Sequence, residues 1–599
     1  MKIYELIRTE QESFRQPIPL QDGFDFNFPD HVRKTVLYKN SIFTKNHSEN
    51  KPFKNILEPI LSLRYRSEGF DVKDIILFVD DVYKNFKSFI IRKYHQKWAR
   101  KVKLDTFIDE LVESYVDFGG ALVKKTKGDI PEVVPLQRIA FCDQSNMLGG
   151  PICEKHFYSP DELREEAEGR GWKEVEEAIT LSKDEKEVGQ NKRQAKTPGK
   201  YIEVFELHGM FPKYCLNDEH NETYEKGSPE MKLIRQVHIC VLYTDSNGNK
   251  GGITLYKGTE KDSPYKQLIR KPIYGRALGR GGAEELFQDQ IWTNYGQIRM
   301  KEMLDACAKI LYKTTDPGFA NRNKTESYAQ GEILVLEDGK DIEQIDTTPR
   351  SLQLFDNFVR EWEIHSKQIG GAGEAILGEE PAAGTPFKSV EFQARQSFSE
   401  HKYHQGKIST FVADELYPDW IIPKIVKEVN QGQEFMAELD ADELQEVASG
   451  VARCVVNKAI RKGMRFTPDL VQRFQEEVKQ NFLNTGNKQF VEALKDELKD
   501  APVSVEVSIA SKQKDLSAKT DKLVNILRFM LSTFNPQTGQ FTVFQDPRMV
   551  KLFRQILEAS GLEGIDLASG GYTPPPQPQQ VQQVLQRPQA PQLTEASTL

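Results

Sequence analysis

The chain has 599 residues, which is more than one hydrophobic core usually supports, so several lobes are expected. Hydrophobic residues make up 38% and charged residues 28%, which is typical of a protein with a wet, charged surface. The net charge of −8 argues against tight, sequence-independent binding to phosphates, which needs a basic surface. A protein past which DNA must slide could still be acidic, because electrostatic repulsion of the phosphates would prevent tight binding.

The beginning of the sequence and the cysteines predict an intracellular product. The segment Met1–Phe14 lacks the basic-then-apolar layout of a signal peptide. The six cysteines show no Cys-x-x-Cys spacing, which favours reduced and mostly buried thiols. No apolar run reaches the roughly 20 residues that span a bilayer.

The first 70 residues are polar and aromatic with scattered prolines, and we predict an arm that leans on something else rather than a self-sufficient domain. A helical region is predicted from Asp71 to Asp117. Within it, Lys84–Lys103 interleaves basic residues with Phe86, Phe89, Tyr94 and Trp98. Two interpretations stay open: a nucleic-acid contact, or an amphipathic helix with a solvated basic side, which the pattern favours.

Short strands and two local motifs follow, so an α+β lobe is predicted over residues 71–274. Ser159 precedes Pro160 and lies three residues before Glu162, which predicts a capping box at a helix start. Asn247-Gly248 lies between apolar segments and supplies the positive φ of a hairpin turn.

The centre of the chain reads as helix, small strand-bearing module, helix and glycine-rich loop. The helices are predicted over Ala283–Tyr312 and Pro349–Ile369, and the module between them contains Gly331–Asp346. The loop runs from Gly370 to Phe387 and is long for a connection between well-formed helices, which indicates a use for it. The helix pair could be an ordinary antiparallel hairpin with a β insertion, or could pack against copies of itself in a ring.

Tests for catalytic and ligand-binding motifs are negative. The glycines of Gly275–Gly282 lack the spacing of a dinucleotide fingerprint. Gly373 and Gly378 have the glycine spacing of a Walker A loop, but two glutamates stand where that motif needs Lys-Ser/Thr. His401 and His404 lack further ligands to complete a metal set. No catalytic, cofactor-binding or metal-binding residue is predicted, and we expect the protein not to be an enzyme.

A third helix is predicted from Ser389 to about Leu416, followed by Pro418 and Pro423, and proline bends or ends helices. Beyond it the chain is mostly helical, with one predicted strand at Val503–Ala510. The segment 573–599 is Pro/Gln-rich and cannot bury a core, so it is predicted to be disordered.

This order of elements resembles the portal proteins of tailed double-stranded DNA bacteriophages. The resemblance rests on IYGRALGRGGAEELFQDQIWTNYGQIRMKEML, similar to the family's approach to its first stem helix, and on IGGAGEAILGEEPAAGTPFKSVEFQARQSF, similar to its loop and following helix. It covers about residues 71–560 and is topological and compositional.

The resemblance implies an α+β, multi-lobed portal fold assembled as a ring. Its parts are an α+β wing (71–274, continued with the long kinked helix over 388–465), stem helix 1 (275–312), a small α/β clip (313–347), stem helix 2 (348–369), a tunnel loop (370–387) and a helical crown (466–572). The arm (1–70) and the tail (573–599) lie outside it.

The resemblance also implies where this chain would meet its partners. The tunnel loop would face DNA in the channel, with an acidic character that favours low-friction contact without base readout. Its residues are Gly370, Gly371, Gly373, Glu374, Gly378, Glu379, Glu380, Gly384 and Lys388. The clip residues facing terminase and later the adaptor would be Arg322, Asn323, Lys324, Glu337 and Asp338.

The implied function is a virion channel at one capsid vertex. It would form a homo-oligomeric ring, expected to be a dodecamer, contact the major capsid protein, dock the terminase large subunit for packaging and later the head–tail adaptor, and pass double-stranded DNA, with no cofactor. Two alternatives from other classes are a nucleic-acid-processing enzyme, such as a nuclease or packaging ATPase, and a monomeric virion adaptor.

Overall fold

The computed structural model describes residues 2–21, 24–40, 53–79, 95–188, 201–217, 228–244, 249–307, 311–315, 342–345, 352–372, 387–425 and 468–485, with 448–449, 452, 456, 459, 463, 503–507, 528, 534–535 and 540–541. The chain divides into two compact units, Met1–Lys512 and Gln513–Leu599. Among the described residues, the second unit contains one short two-stranded hairpin.

The elements are numbered along the chain. The helices are α1 (Ile3–Phe14), α2 (Phe28–Lys39), α3 (Leu57–Glu68), α4 (Leu104–Phe118), α5 (Pro160–Arg170), α6 (Val175–Val188), α7 (Gly282–Glu285), α8 (Phe287–Cys307), α9 (Leu352–Ile369), α10 (Phe387–Thr410) and α11 (Pro468–Thr485). The strands are β1 (Ile18–Gln21), β2 (Phe24–Phe26), β3 (Ile75–Val79), β4 (Gly120–Lys124), β5 (Glu132–Val133), β6 (Ile139–Phe141), β7 (Ile152–Tyr158), β8 (Ile202–Pro212), β9 (Leu233–Thr244), β10 (Lys250–Thr259), β11 (Tyr265–Ile269), β12 (Leu311–Thr314), β13 (Ile342–Ile345), β14 (Val503–Val507), β15 (Phe534–Asn535) and β16 (Gln540–Phe541).

The strands form antiparallel sheets, and the fold is α+β, as predicted. A five-stranded sheet has the order β10-β9-β8-β7-β6, and a three-stranded sheet has the order β11-β4-β5. Two-stranded pairs are β1–β2, β12–β13, β3–β14 and β15–β16. No helix among the described residues combines the length and apolar character that crossing a bilayer requires.

The described residues of the first unit form three hydrophobic cores. The first joins α3 and α4 to α10 and the segment after it, through residues such as Leu61, Tyr115 and Ile408. The second packs α1 and α2 against one face of the five-stranded sheet, and the third packs α5 and α6 against further residues of that sheet. The predicted arm therefore contains three helices, α1, α2 and α3, whose apolar side chains are buried in the first two cores. Arg8 of α1 also donates to the carbonyl oxygens of Tyr243 and Gly251, each at 2.6 Å.

Two local predictions are confirmed. The Ser159 hydroxyl accepts from the backbone N–H of Glu162, and the Glu162 carboxylate accepts from the N–H of Ser159, which is the predicted capping box. Strands β9 and β10 flank the predicted Asn247-Gly248 turn and pair antiparallel, with Lys250 opposite Thr244. The turn residues lie outside the described part of the chain.

Two helix predictions are wrong in part. Residues 75–79 form strand β3 rather than helix, and β3 pairs with β14. The run Ile-Ile-Leu-Phe-Val suits a strand because it is rich in β-branched and aromatic residues. The helix predicted to run to Tyr312 ends at Cys307, and Tyr312 lies in β12 opposite Gln344 of β13. The predicted span 275–312 of stem helix 1 thus includes part of a β ribbon at its end, and helix begins only at Gly282.

The helix predicted from Ser389 begins at Phe387 and continues past Pro418. Residues Phe411–Ile421 form a π-helical segment, in which the N–H of Ile422 donates to the carbonyl of Tyr417 five residues earlier. Wider turns of this kind accommodate a residue that lacks an N–H, so the proline does not end the helix.

Helices α8 and α9 pack as an antiparallel pair. Trp292 stacks on Trp362 with ring centroids 6.3 Å apart. Nearer the start of α8, the Asp289 carboxylate lies 2.9 Å from Nδ1 of His365, near the end of α9. A Cβ on Gly296 would lie 2.6 Å from Cγ2 of Val359, so this glycine allows close approach of the helices. The ribbon β12–β13 connects the far ends of the pair.

Candidate functional site

The structure describes the first residues of the predicted loop and little else of the predicted site. Gly370 and Gly371 follow α9 directly, and Lys388 lies in the first turn of α10. The other predicted loop and clip residues lie outside the described part of the chain, and their roles stay predictions: Gly373, Glu374, Gly378, Glu379, Glu380, Gly384, Arg322, Asn323, Lys324, Glu337 and Asp338.

The loop begins at a Schellman cap, so its start is fixed. The N–H of Ala372 donates to the carbonyl of Lys367 at 2.9 Å, and the N–H of Gly371 donates to Gln368 at 3.3 Å. Gly371 has φ of +67°, which glycine adopts without strain. Ala372 is buried in the first core. We call Ile369–Ala372 the loop base.

Arg64 of α3 binds the carbonyl groups that end α9. Its Nη2 donates to the Ile369 oxygen at 3.0 Å, and its Nε donates to the Gly370 oxygen at 3.2 Å. The side chain is 1% exposed, and its charge is balanced by Glu285 at 2.8 Å. A cation is favoured here because the C-terminal end of a helix carries partial negative charge.

Glu68, one turn further along α3, holds a second link to the loop base. Arg270 donates to both of its carboxylate oxygens, with a distance of 2.7 Å between Nη2 and Oε1. His401 of α10 lies with Nδ1 3.2 Å from Glu68 Oε1 and Nε2 3.3 Å from the Gly371 carbonyl oxygen. Burial opposes the charged form of Glu68, but His401 and Arg270 outweigh it and lower its pKa to about 2.

These residues form a network around the loop base, comprising Arg64, Glu68, Arg270, Glu285 and His401. Helices α3 and α10 position it, together with the residues that follow β11. Sequence reasoning missed it because its hydrogen bonds join positions 306 and 333 residues apart. The only local signal was the Gly370-Gly371 pair at the end of a periodic segment, which is typical of a helix C-terminus.

A second polar cluster lies between the two larger sheets. Lys124 of β4 donates to Glu154 of β7 at 2.8 Å and to Glu206 of β8 at 2.6 Å. His156 and His208 contact Glu206 at 2.9 and 3.1 Å. We call this set the sheet-junction cluster.

The sheet-junction cluster contains a set of potential metal ligands. One donor atom each of Glu154, His156 and Glu206 lie within 4.8 Å of one another. The Lys124 ammonium, however, lies within hydrogen-bond distance of both carboxylates and already supplies the positive charge there. Burial alone would lower the pKa of Lys124, but Glu206 and Glu154 outweigh it and raise the pKa. These residues therefore do not fit a metal unless Lys124 withdraws.

The other sequence motifs have structural roles where they are described. In the glycine-rich stretch before α7, a Cβ on Gly279 would lie 2.6 Å from the carbonyl oxygen of Lys271, so the glycine permits close backbone packing. His404 contacts the Tyr115 hydroxyl at 2.9 Å, and burial and Arg270 lower its pKa to about 4. Trp98, from the basic segment, is 2% exposed in the first core and does not offer its ring to nucleic acid. Phe86, Phe89 and Tyr94 lie outside the described residues.

Comparisons with known proteins give likenesses among solved structures. No protein-family model and no curated protein matches the sequence. Among solved structures, a chain of the virion of a native gene transfer agent particle is similar to this chain, with 9% identity and a TM-score of 0.31. The match covers 87% of this chain and 94% of that chain. A TM-score at this level carries no argument about function.

Proposed function

We propose that the chain is a phage portal subunit, a non-enzymatic ring protein that forms the DNA channel at one capsid vertex. The supporting observation is the path of the central chain. It leaves the sheet-bearing lobe through α8, turns at the β12–β13 ribbon and returns through the antiparallel helix α9. It then enters the loop from a fixed cap, and α10 packs against α3 of the lobe. This is the order that the portal resemblance requires.

The surface of the α8–α9 pair supports assembly with further copies. Several large apolar side chains of these helices are at least one third exposed, and Leu354 is 70% exposed. They are Ile291, Trp292, Tyr295, Leu304, Leu354 and Ile364. Clustered exposure of large apolar groups is typical of surfaces that a partner covers, and in a ring the next copy would cover them.

The proposed partners follow from the portal function. In the capsid, the ring would contact the major capsid protein and dock the terminase large subunit and later the head–tail adaptor. Double-stranded DNA would pass through it without sequence-specific contact. The alternative of a metal-dependent nuclease gains no support at the sheet-junction cluster, because Lys124 stands between its carboxylates.

Native mass spectrometry of the purified protein tests ring formation. The expected species is a closed oligomer whose mass is a multiple of 68.6 kDa, and twelve copies are expected. Leu354→Glu should shift the protein towards monomer without unfolding it, because the new charge lies on the exposed face of α9. The matched control is Met210→Glu, at a residue of β8 that is 50% exposed and should leave the ring intact. A monomer at every concentration and salt would contradict the proposal.

Deleting residues 374–384 tests the role of the loop. The deletion spares Gly371 and Ala372, whose cap and contacts with α3 and α10 hold the loop base. We expect rings with an unchanged number of subunits that are impaired in packaging or retaining DNA. If the deletion prevents assembly instead, the loop is a structural part of the ring and its assignment to the channel is wrong.

A further inference from the structure

Both ring nitrogens of His401 face hydrogen-bond acceptors. Nδ1 lies 3.2 Å from a carboxylate oxygen of Glu68, and Nε2 lies 3.3 Å from the carbonyl oxygen of Gly371. Neither oxygen can donate, since Glu68 is ionised at neutral pH. A neutral imidazole has one N–H and can satisfy only one of the two acceptors, whereas the imidazolium donates to both.

The charge on Glu68 decides where the proton of neutral His401 resides. A hydrogen bond to a carboxylate is stronger than one to a carbonyl group, so the single proton stays on Nδ1. The lone pair of Nε2 then points at the carbonyl oxygen of Gly371, and the contact is repulsive. Adding a second proton replaces this repulsion with a donated hydrogen bond.

We propose that His401 is a proton-dependent latch on the loop base, which holds the Gly371 carbonyl when the imidazole is protonated and releases it when the proton leaves. The functional role of this latch rests on the portal proposal, because the latch would regulate the loop that faces the channel. The latch itself depends only on contacts among described residues.

The described part of the chain places several charged groups around His401. Glu68 of α3 contacts it directly. Arg270, after β11, contacts Glu68, and Arg64 of α3 contacts the carbonyl of Gly370. His404 and Glu400 lie on the same helix as His401. Further out, Lys271 contacts Glu285 and Glu400, each at 2.7 Å.

The pKa values of Glu68, Glu285 and Glu400 are lowered, that of Arg270 is raised, and that of His404 lies at about 4. Tyr115, on α4, has a raised pKa.

With these shifted pKa values, the six groups Glu68, Glu285, Glu400, Arg270, His404 and Tyr115 keep their charge between about pH 5 and 8, the range in which imidazoles ordinarily titrate. The other bonds of the loop base, from Arg64 and within the Schellman cap, do not depend on pH in that range either. Loss of the His401 proton should therefore loosen Gly371 and Ala372 while the end of α9 stays formed.

Hydrogen exchange of the full-length protein, followed by mass spectrometry from pH 5.5 to 8.5, tests the latch. After correction for the intrinsic rates, protection of the peptide that covers 369–372 should fall about 3- to 10-fold as pH rises, as for one lost hydrogen bond. Peptides from α4 should keep constant protection. Equal protection of residues 369–372 at all pH values would overturn the proposal.

Two substitutions assign the effect. His401→Gln keeps a side-chain donor but cannot gain a proton, so the pH dependence at 369–372 should disappear. The matched control is His404→Gln, one turn along α10, which should keep it. A His401→Gln variant that retains the wild-type pH response overturns the latch. If this variant does not fold, the pH dependence of hydrogen exchange at 369–372 in the wild type decides whether the latch exists. Native masses of the same samples show separately whether rings form, so the two proposals can fail independently.

Discussion

The loop base and the sheet-junction cluster are built from the same residue types and do different work. At the sheet junction, Lys124, Glu154 and Glu206 satisfy one another side chain to side chain. At the loop base, Arg64 and His401 face backbone carbonyls at the end of a helix. A closed set of side chains stabilises a junction, whereas donors directed at the backbone fix where a loop begins. We therefore expect substitutions in the sheet-junction cluster to destabilise the whole fold. Substitutions at the loop base should affect only the residues near it.

Removing the cation of the sheet-junction cluster should have the largest effect. Lys124→Ala leaves the carboxylates of Glu154 and Glu206 close together, and an uncompensated buried charge costs about 3–5 kcal/mol. We expect a strongly lowered midpoint of thermal unfolding, and unchanged hydrogen exchange at 369–372 at temperatures where the variant is folded.

Zinc provides the control for Lys124→Ala. The donor atoms of Glu154, His156 and Glu206 lie within 4.8 Å of one another, so Zn²⁺ should raise the midpoint of the variant and leave that of the wild type unchanged. A wild type that is stabilised by zinc would show that Lys124 is not the cation of this cluster.

The corresponding change at the loop base should be smaller and local. Arg64→Lys keeps the charge beside Glu285 but loses the planar fork that reaches the oxygens of Ile369 and Gly370. We expect a loss of about 1–3 kcal/mol, together with faster hydrogen exchange at residues 369–372. If exchange there is unchanged, Arg64 serves the core rather than the loop, and the contrast between the two regions does not hold.

Gly371→Ala tests the cap itself against a matched glycine. The left-handed conformation costs about 1–2 kcal/mol for a residue with a side chain. The same backbone cost applies at Gly171, which has φ of +70° and no atom within 4 Å of an added Cβ. A Cβ on Gly371 would lie 3.0 Å from Nε2 of His401, so Gly371→Ala should lower the unfolding midpoint more than Gly171→Ala. Equal decreases in the unfolding midpoint of the two variants would mean that His401 does not restrict the space beside Gly371.

The smallest expected effect is a pH dependence at the sheet junction. Burial would lower the pKa of His208, but hydrogen bonds to Glu206 and Glu260 outweigh it and raise the pKa. The raised pKa means that the stabilisation by His208 is fully present below about pH 6.5 and is lost as pH rises through the folded-state value. The unfolding midpoint should therefore fall as pH rises above about 6.5 in the wild type, and less so in His208→Gln. An unchanged slope in the variant would contradict this assignment.

Sequence reasoning predicted features that a few neighbouring residues determine. The capping box at Ser159 and the hairpin at Asn247-Gly248 are of this kind. The run Ile75–Val79 was predicted as helix because a short apolar segment fits either structure, and its strand partner lies more than 400 residues away. The helix end at Cys307 was missed for a similar reason, since Leu311–Thr314 is fixed by pairing with β13.

The candidate site shows the same limit. Gly370 and Gly371 were identified as part of the working loop from their composition, and the structure makes them the cap from which the loop begins. Arg64 and His401 gave no local signal, because a buried arginine and a histidine gain their roles only when distant helices meet. In the sequence, His401 stands out only as a potential metal ligand three residues from His404.

The central claim is that copies of this chain assemble into a ring around a channel. Negative-stain electron microscopy of the purified full-length protein tests it most directly. The portal assignment predicts closed rings with a central hole, and twelve-fold symmetry in end views. Images that show only isolated, monomer-sized particles across protein concentrations and salt would contradict it.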